Sequence, residues 1–323
     1  MRILKNKIEH NICKTLGFNY GKITNNGSEA IKYCLMNAKI KKGTYIIVPI
    51  TICKSVVDVI LEYGCFPLFV DVDQDFCLNI NEVVNKNTDN ISTVIYVHAY
   101  GILKDVRALV KYCNDCSICL IEDSAQYICN SNRYMNCPQG DFVIYSFGKG
   151  KPVDIGGLGF IASNIVEITE FPLIQNFNLC KNLNKCFTKL NNILKEKKDK
   201  AKKYKNIFAN LNIIDNENFL DNIYHRLLVH YPQNYYRISE KMYLFMNAVG
   251  IDNYQSTIPI EAFREKSIKA QLPKPHQSLN LKDFPTYSKL KKSIHYFRTT
   301  EWINDENIAL ISDKFIECVN DDS

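Results

Sequence analysis

Between residues 45 and 123 the chain switches repeatedly between short β-branched runs and amphipathic stretches, and that alternation leaves few folds open to it. Residues 45–49, 67–72, 93–98 and the run 117–126 read as strands, while 54–63 and 104–113 carry apolar side chains at helical spacing. Strands alternating with helices predict a largely parallel sheet with covered faces, because parallel neighbours need a crossover long enough to hold a helix. With 323 residues, 46% of them hydrophobic, the chain can bury one large α/β domain and a smaller companion.

In open α/β sheets ligands collect at the carboxyl ends of the strands, and two runs here end in polar groups. SICLIEDSAQ (117–126) delivers Asp123. DFVIYSFGKGKPVDIGGLGFIAS (141–163) reads as a strand over 142–147, a turn with Ser146, Lys149 and Lys151, a cluster of Gly156, Gly157 and Gly159, and a second strand over 158–162. Taken alone, the second stretch is equally a hairpin with solvated lysines, since Gly and Lys are ordinary turn residues. With Asp123 beside it, the pair supplies what pyridoxal phosphate needs: a lysine to bond its aldehyde and an acid to keep its ring nitrogen protonated. Upstream, TNNGSEA (24–30) precedes a helical pattern over 29–38; it is a helix cap, or a cap that also offers free N–H groups to an anion.

These motifs carry a resemblance. IEDSAQ followed by YSFGKGK and its glycines, NGSEA, STVIYVHAYG and the block YIIVPITICKSVVDVILEYGCFPLFVDVD together resemble the DegT/DnrJ/EryC1/StrS family of sugar aminotransferases. The resemblance implies a fold-type-I α/β architecture: a large domain (1–190) with a mostly parallel mixed sheet flanked by helices, a connecting helix (191–222) and a smaller C-terminal α+β domain (223–323). It implies pyridoxal 5'-phosphate as cofactor, with Lys151 bonding the aldehyde and moving the proton. Asp123 would face the ring nitrogen, and Gln126 the 3′ oxygen. Gly27, Ser28 and Glu29, in the family's G-T/S-x-A position, would hold the phosphate together with Ser146. By the same resemblance glutamate is the amino donor, a keto-sugar on a nucleotide is the acceptor, and the enzyme is a homodimer with shared sites working in surface-glycan or related amino-sugar biosynthesis.

Four departures stand beside it. Cys53 occupies a position where many members stack an aromatic on the cofactor, so Tyr100 or another ring would have to substitute. Leu158 interrupts the glycine pattern. The segment 171–194 is short for the family's loop to the neighbouring subunit, with Asn176 or Asn178 as stand-ins or as plain loop residues. Lys149 lies close enough to Lys151 to compete for its role, although spacing from Ser146 and Phe147 favours Lys151. Sugar 3-dehydratases of the family carry histidine in place of the lysine, which Lys151 argues against. An aminotransferase for a non-nucleotide ketone and a non-catalytic descendant are the remaining alternatives.

Composition excludes other classes. A net charge of +6 is modest, and the basic run 195–205 reads as a solvated helix, so no nucleic-acid partner is expected. No run is long enough to span a bilayer, and the first sixteen residues lack the apolar region of a signal peptide; a reducing cytoplasm is expected for the thirteen cysteines. Cys113, Cys116 and Cys119 have no fourth partner at matching spacing, so they are read as structural thiols and no metal is expected. Further on, residues 192–211 and 235–249 read as helices and 225–232 as a strand. GIDNYQSTIPIEAF (250–263) resembles the family's sugar-facing stretch, while His225 and Trp302 read as packed side chains.

Overall fold

In a computed structural model of the chain, residues 2–85, 89–130, 138–214, 223, 225–251, 254–255, 266–299 and 303–321 are described. The chain opens with α1 (Arg2–Leu16), β1 (Tyr20–Thr24), α2 (Gly27–Asn37), β2 (Tyr45–Pro49), α3 (Lys54–Tyr63), β3 (Phe66–Val70), α4 (Ile80–Val84), β4 (Ile91–Val97), α5 (Arg107–Asp115), β5 (Cys119–Asp123), β6 (Phe142–Ser146) and β7 (Gly159–Ser163). Its seven strands make one sheet in the order β1-β7-β6-β5-β4-β2-β3. β3, β2, β4, β5 and β6 run parallel, whereas β7 is antiparallel to both of its neighbours. This is the largely parallel sheet that the alternation predicts, with the mixed character that the family resemblance implies. The parallel strands are nearly all buried, as helices on both faces require.

Local chemistry sets the ends of the helices that matter for the site. Asn26 caps α2, its side chain accepting from Glu29 N at 2.8 Å. Gly64, at φ 92, closes α3 in the left-handed region. β1 has no apolar alternation and was not foreseen. It forms through pairing with β7, and a Cβ at Gly21 would sit 2.3 Å from the Phe160 ring.

The rest comprises α6 (Phe177–Thr188), α7 (Leu190–Ile207), β8 (Asn212–Ile214), β9 (Arg226–His230), α8 (Tyr235–Val249), β10 (Tyr254–Gln255), α9 (Lys266–Lys269), α10 (Lys274–Gln277), α11 (Pro285–Leu290), β11 (Ile294–Arg298) and α12 (Asp305–Asn320). A four-stranded antiparallel sheet, β10-β11-β9-β8, buries Leu227, Val229 and Phe297 against Tyr204 of α7, Met242 of α8 and Phe315 of α12. Its other face sends Leu228 and Tyr296 into the core of the large sheet, so the two sheets share a boundary. α6 fills the segment where the resemblance thins, with Cys180, Leu183 and Phe187 on its buried face. The basic helix departs from the solvated reading: Lys197 and Lys200 are buried on α7, and Lys200 pairs with Glu196 at 2.8 Å. Residues 252–253 and 256–263 of the sugar-facing stretch, and Trp302, lie outside the described residues.

Candidate active site

Asp123 ends β5 inside the sheet, almost completely buried. Burial pushes its carboxyl up, opposed by the hydrogen bond from Ala125 N (2.9 Å) and by the nearby charges of Lys151 and His98. The next residue back, Glu122, points the other way and fixes His98: its Oε2 lies 2.6 Å from His98 Nε2, and its Oε1 accepts from Gln139 N and Gly140 N. His98 N in turn donates to Asp123 O at 3.1 Å, so the ends of β4 and β5 form one hydrogen-bonded unit.

The loop after β6 closes on itself. Phe147 O accepts from Ile155 N and Gly157 N, both at 3.1 Å, and the Asp154 carboxylate accepts from Gly150 N (2.7 Å) and Gly156 N (2.9 Å). Lys149 and Lys151 both stand on this loop and line a cavity of about 900 Å3. Only Lys151 is close enough to Asp123 to lower its carboxyl, which separates the two lysines. Leu158 takes φ +70 where glycine would be unstrained; its buried side chain and the bond from Phe147 N to its carbonyl hold it there.

Cys53 and Gln126 line the same cavity. The Cys53 thiol is exposed at the start of α3, 3.3 Å from Ser55 Oγ. Gln126 Oε1 accepts from Tyr100 N at 3.0 Å, which leaves its amide N–H groups for the cavity. Tyr100 is not the substitute ring. Its φ of 58 turns it into the core, edge-on to Phe76 and 5.9 Å from Tyr296.

Gly27, Ser28, Glu29 and Ser146 lie beside the cavity rather than on its wall. A Cβ at Gly27 would stand 2.9 Å from Ser146 Cβ, so only glycine lets the start of α2 meet the end of β6. Glu29 N and Ala30 N are bound by Asn26, while Gly27 N and Ser28 N, in the first turn, have no acceptor among the described residues. The Glu29 carboxylate is engaged with the turn, accepting from Asn25 N at 2.7 Å and Asn25 Nδ2 at 3.0 Å. Asn25 also holds Leu173 O and Gln175 N, and Asn176 caps α6 by accepting from Leu179 N at 3.4 Å. Two N–H groups and the neighbouring Ser146 hydroxyl are therefore open to an anion, and with Lys151 and buried Asp123 on the cavity they fit the phosphate, aldehyde and ring nitrogen of pyridoxal phosphate.

The opposite wall is legible only in part in the sequence: Gly250 and Ile251 open the stretch that resembles the family's sugar-facing segment and His225 reads as packed, whereas no motif singles out Arg226, Arg298 or Asn307. His225, Arg226, Gly250, Ile251, Arg298 and Asn307 supply it. His225 is buried, and its imidazole is pushed well below its ordinary value by burial and by Lys197, Arg226, Lys151 and Arg298; its Nδ1 has no partner among the described residues. The HAYG turn carries this wall. Ile223 N donates to Gly101 O (3.1 Å), and a Cβ at Gly101 would stand 2.6 Å from His225 N.

The sequence profile of the DegT/DnrJ/EryC1/StrS aminotransferase family matches residues 4–174. The chain belongs to this family. GDP-perosamine synthase of Escherichia coli O157:H7 is 26% identical over 161 residues, which are 49% of this chain and 44% of that protein. The chain thus matches less than half the length of this curated relative. Among solved structures, a DegT/DnrJ/EryC1/StrS aminotransferase from Brucella abortus superposes with a TM-score of 0.81 at 17% identity, covering 97% of this chain and 89% of that one. The E. coli GDP-4-keto-6-deoxy-D-mannose-3-dehydratase, solved with bound hydrated PLP, gives 0.78 at 14% identity, covering 96% and 91%. At such identities the two structures speak for the fold alone, and the likeness in fold runs past the profile match to the C-terminal sheet.

Proposed function

We propose that the chain is a pyridoxal phosphate-dependent aminotransferase that converts a keto-sugar, nucleotide-linked, into an amino sugar with glutamate as donor. The observation that carries this reading is that buried Asp123 and Lys151 line one cavity at the carboxyl ends of the parallel strands, with the Lys151 charge lowering the Asp123 carboxyl. The phosphate goes to Gly27 N, Ser28 N and the hydroxyls of Ser28 and Ser146. Asp123 holds a proton on the ring nitrogen, and Gln126 donates to the 3′ oxygen through its free amide N–H. Pyridoxal phosphate, when bound, supplies an electron sink conjugated to the carbon that gains or loses nitrogen. Lys151 Nζ takes and returns the proton at that carbon. Cys53 covers less of the ring face than an aromatic side chain does. The working unit is a homodimer, as the family resemblance implies.

A lysine at position 151 favours transamination over dehydration, the reaction named for one of the structural neighbours. The test is the visible spectrum of the purified protein with pyridoxal phosphate, before and after excess glutamate. The expected result is a yellow band that glutamate converts to the shorter-wavelength amine form. Lys151→Ala should lose the band and about 10³-fold or more of the conversion rate. A wild-type protein with no band, or a Lys151→Ala protein that transaminates at the wild-type rate, would overturn the reading.

A further inference from the structure

β9 and β11 place Arg226 and Arg298 directly opposite each other in an antiparallel pair, and both line the cavity. Like charges in that relation repel, so the pair lowers the stability of its own sheet unless something negative sits over it. The chain does not supply that charge to Arg226. No carboxylate pairs with it among the described residues, and Asp123, the acid on the cavity wall, feels the Lys151 charge. The Arg226 guanidinium lies 4.7 Å over the Tyr296 ring, which orients it, and its Nε is buried without an acceptor among the described residues. Beside it, His225 Nδ1 is likewise without a partner there. These groups stand together on the small sheet, away from Gly27 and Ser146.

We propose that Arg226 and Arg298 together bind the oxyanion of a substrate, a carboxylate or a phosphate, whose reacting carbon points toward Lys151. Two planar forks side by side match a group with several oxygens, which guanidinium binds in bidentate fashion. This deepens the function given above and rests on it only for the direction of the reacting carbon. It also narrows the substrate class, because a neutral ketone would leave Arg226 without a counter-charge among the described residues. The oxyanion has two sources, the carboxylates of the amino donor or a phosphate on the sugar acceptor.

The experiment is calorimetric titration of the pyridoxal phosphate-loaded protein, and of the unloaded protein in parallel, with glutarate, with glucose 6-phosphate and with glucose as the uncharged control. Wild type is expected to bind at least one anion and not glucose. Arg226→Gln and Arg298→Gln are each expected to weaken that binding about ten-fold or more, with cofactor affinity unchanged. Loss on glutarate alone assigns the pair to the donor, loss on glucose 6-phosphate alone to the acceptor, and loss on both to a position used by each in turn. If a glutamine variant does not fold, the charge-retaining Arg226→Lys and Arg298→Lys replace it and should bind with intermediate affinity. Unchanged affinity in the variants, or a wild type that binds neither anion, overturns the subsite. The two readings fail separately. A protein that ignores pyridoxal phosphate but binds an anion through these arginines keeps the subsite and loses the function. A transaminase indifferent to both substitutions does the reverse.

Discussion

Asp123 is held where a carboxylate is least at ease, since burial raises its carboxyl above the ordinary range. For an acid raised in this way the folded state favours the protonated form. Its contribution to stability is full below the ordinary carboxylate value and is lost as pH rises through the folded value. Asp123→Asn keeps an oxygen for the Ala125 N–H and removes the charge. The unloaded variant should therefore melt at a higher temperature than wild type at pH 7, with the gap closing toward pH 4, while transamination falls about 10²-fold. Thermal scans at the two pH values and single-turnover rates check the two halves. Lys151 and Asp123 were legible at this scale because each is tied to a strand end a few residues away. Tyr100 was not, because one positive φ turns its ring from the cavity to Phe76.

β1 is an edge strand whose outward N–H groups need cover, and α1 supplies it. Glu9, nearly fully buried, accepts from Ile23 N at 3.0 Å and pairs with Lys5 at 2.8 Å. Glu9→Ala leaves that N–H buried without its acceptor and should cost about 2 kcal/mol in urea unfolding. On the small sheet, β11 carries His295, whose ring packs between Tyr235 and Phe315, centroids 4.9 and 5.0 Å away. Burial pushes its imidazole down to about 4, helped by His230 and opposed by a backbone hydrogen bond with Tyr231. A base lowered in this way contributes stability that is present above its ordinary value and lost as pH falls. Between about pH 6.5 and 4 the loss should reach about 3 kcal/mol. His295→Phe should flatten the pH dependence of the melting temperature over that window; an unchanged slope would mean that other groups carry it.

Across the whole molecule a carboxylate ties the large sheet to α11, the helix that leads into β11. Asp71, just past β3 and fully buried, accepts from Val72 N (2.8 Å), Thr286 N (2.7 Å) and Tyr287 N (2.9 Å), which fastens the first turn of α11 to the large sheet. Tyr287 and Leu290 then enter the large core together with Leu228 and Tyr296 of the second sheet. Asp71→Asn sets an amide donor against one of these N–H groups and should lower unfolding free energy by about 2–3 kcal/mol. Because Arg226 and Arg298 stand on the sheet so anchored, anion binding should weaken in the same variant, and calorimetry with the probe that wild type binds would measure it. The sequence by itself determined whatever depends on a few adjacent residues: the short β-branched strand runs, the helices of period near 3.6, the cap before α2, and the placing of Asp123 and Lys151 after strand ends. The tertiary structure alone decided the pairing of β1 with β7, the burial of Lys197 and Lys200, the Asp71 clasp and the arginine wall. The reason is physical. Register between distant strands and the packing of one sheet against another place side chains that local periodicity and spacing leave unconnected.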